Sequence, residues 1–157
     1  MRPQQAVPTQ PTLEASPPCA RPSDLVGPFE VTLAAAPDAP AAARAAVSAW
    51  MAGHVNETML ADAQLLVAEL VTNSVRHADA PADAVVSVRA HVLADVVCLE
   101  VEDRGSSGSI ARRAPDLQHG GGFGLNLVEM LSAQWGVNVN RDAGTRVWAE
   151  LAFPAAG

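Results

Sequence analysis

The amino-acid sequence predicts a two-layer α/β sandwich, in which a mixed β-sheet carries helices on one face. Segments with the two-residue alternation of strands and segments with the 3.6-residue spacing of helices follow one another in mixed order along the chain. The chain has 157 residues, of which 49% are hydrophobic. This is enough for one domain with an ordinary core.

The expected elements follow from local patterns. Alternation predicts the strands, apolar spacing predicts the helices, and Gly53 and Pro81 are helix-breaking residues. Asp62 is the expected N-cap of the second helix. In chain order we expect a strand at 29–33, helices at 39–51 and 60–78, strands at 85–92 and 96–101, a helix at 125–134, and strands at 136–140 and 146–153.

The first 28 residues differ in composition from the rest of the chain. They contain seven of the 12 prolines and show no hydrophobic periodicity. Such a segment buries too little apolar surface to fold alone, so we expect a disordered or loosely tethered tail. The domain proper is expected at residues 29–157.

Composition excludes several classes of protein. The net charge is −7, which argues against direct nucleic-acid binding. No apolar run approaches the roughly 20 residues that a membrane helix needs, and no secretion signal opens the chain, so we expect a cytoplasmic protein. Two cysteines do not make a disulfide framework, and Cys98, in a valine-rich strand, is expected to be a buried thiol.

The absence of lysine excludes more. All ten basic residues are arginine. The P-loop and the eukaryotic protein kinases each require a lysine on the nucleotide phosphates, and Schiff-base chemistry requires an amine. A nucleotide-binding protein with this composition must therefore use another kind of site.

The second predicted helix carries three polar residues at intervals of four, Glu69, Asn73 and His77. Each step of four residues rotates by only about 40°, so these side chains project from one side of the helix. A solvated polar face is the commoner explanation of any single motif of this kind. Three further patterns, in a fixed order along the chain, favour a ligand site.

The first of these patterns is an apolar strand that ends in Asp103-Arg104-Gly105, which places a carboxylate at a strand end. The second is the glycine run at 120–124, followed directly by Leu125 and a helix. Backbone N–H groups at a helix N-terminus bind phosphate, and glycine allows the phosphate to approach closely. The third pattern is Gly144-Thr145 at the start of the last strand.

Together these motifs resemble the GHKL ATPase superfamily, whose fold is the Bergerat-type ATP-binding sandwich. Within it, the sequences at 67–78 and 145–151 are most similar to the anti-sigma-factor serine protein kinases and their actinobacterial relatives. The resemblance covers about residues 29–154. It implies ATP and Mg²⁺ as cofactors, with Glu69 as the catalytic base and Asn73 as a Mg²⁺ ligand.

The resemblance also implies the remaining contacts to the nucleotide. Asp103 would accept a hydrogen bond from the adenine amino group, with Thr145 beside it, and Gly105 would let the base lie against the backbone. His77 closes the helix motif, and either a phosphate contact or a structural role fits it. The glycine lid would wrap the phosphates through Gly122, Gly124 and Leu125.

The resemblance implies a serine/threonine kinase that regulates transcription by partner switching. Its partners would be a sigma factor, an anti-sigma-factor antagonist, or both, and a homodimer stays open. A nucleotide-bound adaptor without catalysis is the alternative, because Ser107 stands where the family often has a second glycine. The catalytic half of a split histidine kinase fits less well, since no dimerisation helix precedes the domain.

Overall fold

The structure, a computed structural model, describes residues 28–76, 83–93, 95–104, 122–140 and 144–153. The helices and strands in these ranges are β1 (Phe29–Ala34), α1 (Ala39–Met51), α2 (Glu57–Arg76), β2 (Val85–Val92), β3 (Val96–Arg104), α3 (Gly122–Leu131), β4 (Gln134–Asn140) and β5 (Gly144–Ala152). Their types and order are those that the sequence predicts. The expected tail at 1–28 lies outside the described residues, except for Pro28.

The five strands form one sheet in the order β1-β2-β3-β5-β4. The α/β sandwich is confirmed, but the expectation of a mixed sheet is wrong, because all four pairings are antiparallel. β3 and β4 do run in the same direction, but β5 lies between them and pairs with both. Short connections account for two of the pairings, β2 with β3 and β4 with β5, since neighbouring antiparallel strands need only a hairpin.

The hydrophobic core lies between the helices and one face of the sheet. Every second residue of the central strands faces this core, as Val97, Leu99 and Val101 do in β3. α2 contributes Leu66 and Leu70, both almost completely buried, and truncating either to alanine typically costs about 2–5 kcal/mol. The core therefore fixes both the rotation of α2 and the register of β3.

The second helix begins earlier than the sequence indicated. α2 starts at Glu57, and Asn56 caps it by accepting a hydrogen bond from the Met59 N–H at 2.8 Å. Asp62, the expected cap, lies inside the helix. The expectation failed because the polar first turn, Glu57-Thr58, carries no apolar periodicity. The predicted stop at 79–81 lies outside the described residues.

The other side of the sheet, which we call the outer face, is formed by the side chains that alternate with the core residues. None of the helices in the described ranges packs on it, because the core cluster contains only the opposite set of strand residues. Two arginines and two glutamates dominate its centre. Arg89 Nη1 lies 3.0 Å from Glu100 Oε1, and Arg146 Nη2 lies 2.9 Å from Glu102 Oε2.

These ion pairs control the protonation of the outer face. Burial alone would raise the pKa of Glu102, but hydrogen bonds and charge from Arg146 and Arg89 outweigh it and lower this pKa. Burial lowers the pKa of His91 below its ordinary value of 6.5, although the charge of Glu100 opposes this. Glu102 therefore stays ionised, and His91 stays neutral, further into the acid range than usual.

Cys98 also lies on the outer face and is fully buried, as the sequence predicted. It is not a free thiol, however, because it is disulfide-bonded. The expectation failed because the strand pattern shows that a residue is buried but not which distant residue it meets.

Among the described helices, none is long and apolar enough to cross a membrane.

Replacing the cap of α2 tests its start. Asn56→Ala should lower the free energy of unfolding by about 1 kcal/mol, because the Met59 N–H loses its acceptor. Asp62→Ala is the matched control, and we expect it to leave stability unchanged or slightly higher, since alanine favours a helix interior. Denaturant unfolding measures both, and a larger loss for Asp62→Ala would contradict the observed start.

His91 should make stability depend on pH. Because the pKa of His91 is lower in the folded protein, the unfolded chain binds more protons below about pH 6.5. The free energy of unfolding should therefore fall as the pH drops from about 6.5 and level off below the folded-state pKa. His91→Gln should flatten this part of the profile, whereas His54→Gln, at an exposed position, should keep the parent's slope. Identical profiles for His91→Gln and the parent would contradict the assignment.

Candidate nucleotide site

Four elements converge at one end of the domain, which we call the Asp103 end. β3 stops there and β5 starts there, because Asp103 pairs with Thr145. β2 also starts there, since Val85 pairs with Arg104. β4 ends beside Gly144 at the same place. Strand register alone therefore gathers these strand ends.

Chain order leads us to expect that the two helices with the other motifs reach the same end. α2 precedes β2 in the chain and packs against β2, β3 and β5, so we expect its C-terminal half, with Glu69 and Asn73, to lie towards the start of β2. α3 finishes just before the far end of β4 and is ten residues long, or about 15 Å. We therefore expect its N-terminus to point back to the Asp103 end, and α3 packs against both α2 and β4.

Glu69 and Asn73 lie at the border of the core. Both side chains are half-buried, and Leu70 and Val71 between them are buried and hold the helix in place. Within the part of the chain that the structure describes, neither polar group has a hydrogen bond or ion pair. These two groups are thus held on a rigid helix without being used by the fold.

The hydroxyl groups on either side of Asn73 behave differently. Thr72 donates to the Ala68 carbonyl at 2.7 Å, and Ser74 donates to the Leu70 carbonyl at 3.1 Å. Both hydroxyls are therefore hydrogen-bonded within their own helix, as hydroxyls in helix interiors commonly are. Of the polar side chains from 69 to 74, the carboxylate and the amide remain for a ligand.

Asp103 and Thr145 form a directly opposed cross-strand pair on the helix side of the sheet. Side chains in this relation have Cβ atoms about 4.5–5.5 Å apart, so one planar ligand edge can reach both. Val86, which the sequence analysis did not single out, pairs with Asp103 from the other neighbouring strand and is buried. The alternation of side chains along β2 was the signal that could have identified Val86. An apolar wall beside a carboxylate suits a purine ring.

The glycines of the expected lid have a more regular place than predicted. α3 begins at Gly122, one turn before the predicted start, so Gly122, Gly124 and Leu125 all belong to its first turn. The first N–H groups of a helix have no partner within the helix and carry partial positive charge. His77 and Gly105 lie outside the described residues, as does Ser107.

A divalent cation at this end would need the nucleotide to complete its coordination. In the described ranges, no group of three or more His, Cys, Asp or Glu side chains is arranged to hold a metal ion. Mg²⁺ commonly binds through one or two protein oxygens together with phosphates and water. The half-buried amide of Asn73 fits that pattern, as a single protein ligand beside the phosphates.

The comparison with protein families agrees with this geometry. The family model of the histidine kinase-like ATPase domain matches residues 33–151, from within β1 to within β5. The chain therefore belongs to the histidine kinase-like ATPase domain family, and the expected relation to the GHKL superfamily is confirmed. No curated protein matches the chain. The protein is an ATP-binding domain of this class.

The Asp103 end should discriminate between purines. The adenine amino group can donate to the Asp103 carboxylate, whereas the ring oxygen of guanine at the same position can only accept. ATP should therefore bind at least about tenfold more tightly than GTP, the scale of one charged hydrogen bond. Calorimetry with each nucleotide measures this.

Asp103→Ala should remove most of that preference, while Glu30→Ala, an exposed acidic change on the outer face, should preserve it. Equal affinities for ATP and GTP in the parent protein would remove the assigned role from Asp103.

Proposed function

We propose that the protein is an ATP-dependent serine/threonine protein kinase of the anti-sigma-factor type, with Glu69 as its general base. The observation that carries this proposal is the position of Glu69. It lies four residues, or about one helical turn, before Asn73 on α2, its side chain is half-buried, and it makes no hydrogen bond or ion pair with a described residue. A binding module has no need of a carboxylate held in this way.

The proposed reaction requires few chemical groups from the site. A serine hydroxyl of the substrate attacks the γ-phosphorus, the new O–P bond forms as the bond to ADP breaks, and the hydroxyl proton passes to Glu69. Phosphoryl transfer depends mainly on positioning and charge stabilisation. A single base on a rigid helix, with the nucleotide held at both ends, is therefore sufficient.

Charge neutralisation follows from the same parts. The chain has no lysine, so the phosphates require other positive groups. Asn73 would hold Mg²⁺ together with ATP, and the ion would supply positive charge at the phosphates. The N–H groups of the first turn of α3 add partial charge, and the small residues Gly122 and Gly124 let the phosphates come close.

Partners and context complete the proposal. The sequences at 67–78 and 145–151 support a sigma factor, an anti-sigma-factor antagonist, or both as partners. The proposed site of action is the cytoplasm, without direct contact to membrane or nucleic acid, and the net charge of −7 supports the absence of nucleic-acid binding. The proposed kinase domain comprises residues 29–157 and follows the proline-rich segment 1–28.

A nucleotide-bound adaptor is the second candidate. Ser107 replaces the second glycine of the family's loop, and this favours a loop with altered geometry and no turnover. In that case the Asp103 end would hold ATP only to present a partner-binding surface. The two candidates differ in one measurable quantity, the transfer of phosphate.

Glu69→Ala separates the candidates. The carboxylate of a general base acts on the attacking group, so its loss affects mainly the transition state. We expect unchanged ATP affinity and a loss of phosphate transfer of about a hundredfold or more. Radiolabelled ATP with candidate antagonist proteins measures the transfer, and calorimetry measures the affinity.

Two further variants serve as comparison. Asn73→Ala should weaken Mg²⁺-ATP binding itself, while Thr72→Ala, on the same turn but bonded to its own helix, should change neither quantity. A parent protein that binds ATP and transfers nothing to any tested antagonist would favour the adaptor. A Glu69→Ala protein with the parent's transfer rate would rule out Glu69 as the base.

A further inference from the structure

We infer that the outer face of the sheet is a docking surface for the chain's own N-terminal segment, residues 1–27, fastened there by a disulfide between Cys19 and Cys98. This surface lies on the opposite side of the sheet from the nucleotide site. The inference is therefore independent of the proposed kinase activity.

The first observation is the disulfide itself. Cys98 lies in β3, the middle strand of the sheet, with its side chain on the outer face. It is 0% exposed and disulfide-bonded. The chain contains two cysteines, so its partner within the chain is Cys19.

The second observation is the burial of the side chains around Cys98. Glu100 is 3% exposed, Trp148 is 5% exposed and Glu150 is 7% exposed, and all three surround Cys98 on the outer face. The described helices all pack on the other side. Arg89 and Arg146 each lie 3.0 Å from Glu100, and the Trp148 ring lies directly over Gly136, so these contacts supply part of the cover. No described helix supplies the rest, and we infer that the disulfide partner of Cys98 and its neighbours do so.

The third observation is reach. Residue 28 leads into β1, and Phe29 pairs with Ala90, the neighbour of His91, which itself pairs with Cys98. Cys98 is thus two strands away from β1, or about 10 Å at the usual strand spacing. Nine residue-to-residue steps lead from Cys19 to Pro28 and span up to about 30 Å when extended, so the segment is long enough to cross the sheet.

The chemistry of the segment suits the surface. Prolines at 17, 18 and 22 flank Cys19 and favour an extended chain with apolar ring faces, which pack well on an aromatic such as Trp148. Arg21 brings a cation next to Cys19. Among the outer-face side chains that the structure describes are four carboxylates, from Glu30, Glu100, Glu102 and Glu150, and two guanidinium groups, from Arg89 and Arg146.

The fastening is reversible. A dithiol reductant cleaves the S–S bond by thiol–disulfide exchange, which leaves the Cys19 and Cys98 thiols and an oxidised dithiol. Reduction therefore releases the segment and uncovers the outer face, and Trp148 becomes accessible. The nucleotide site, on the helix side, should keep its affinity for ATP.

The test compares the oxidised full-length protein, the same protein treated with a dithiol, and Cys19→Ser. Peptide mapping without reduction should join the Cys19 and Cys98 peptides in the oxidised parent. Hydroxyl-radical footprinting should label Trp148 several-fold more in the reduced parent and in Cys19→Ser. Trp50, which packs against Phe29 on the helix side, is the internal control and should keep its labelling.

Ser16→Ala, in the same segment, is the matched control variant and should behave as the parent. A covalent dimer on non-reducing electrophoresis would overturn the inference, since the disulfide would then join two copies. So would two free thiols in the oxidised protein, or equal labelling of Trp148 in the parent and in Cys19→Ser. If Trp50 labelling rose as much as that of Trp148, the change would be global unfolding, and the docking surface would be rejected.

Discussion

The register of β3 against its two neighbours is the constraint on which the rest of the structure depends. A slip of one residue would turn every side chain of β3 to the opposite face. Asp103 would then leave the nucleotide side, and Glu102 would enter the core. Two independent interactions prevent this slip, and they act on opposite faces of the same strand.

On the helix side, apolar pairs set the register. Leu99 pairs with Ala149, and Val101 pairs with Val147, all within or against the core. On the outer face, ion pairs set the same register, because Glu102 lies directly opposite Arg146. Leaving a buried charge without its partner costs about 3–5 kcal/mol, comparable to the loss of a large core side chain. Both faces therefore penalise a slip strongly.

The sequence predicted the elements well where one periodicity was enough. α1 has the predicted bounds, since an alanine-rich apolar stripe is followed by Gly53, whose positive φ of 81° breaks the helix. β2 also has the predicted bounds. The expected start of α2 was wrong because a polar first turn hides the beginning of an amphipathic helix. Alternation also says nothing about which strands are neighbours, so the antiparallel pairing could not be read from it.

The same distinction applies to the candidate site. Spacing placed Glu69 and Asn73 on one side of a helix, because a helix turn is a local property. The pairing of Asp103 with Thr145 depends on the register between two strands, and the two residues are 42 positions apart in the chain. Here the order of the motifs indicated that both belong to one site. Neither local spacing nor motif order indicated the disulfide partner of Cys98. Its strand pattern predicted burial correctly, but the partner lies in a segment without periodicity.

The disulfide and the proposed cytoplasmic site of action constrain each other. Reducing compartments keep most thiols free, and disulfides there are usually transient or redox-sensing. A disulfide whose only role was to stabilise the fold would therefore be of little use in such a compartment. The position of Cys98 fits a conditional role better, because its bond controls access to the outer face while the ATP site lies across the sheet. Under oxidation the segment is fastened, and under reduction the ion-paired face around Trp148 is exposed. A protein built this way can hold its nucleotide in both states and change only the surface that it offers.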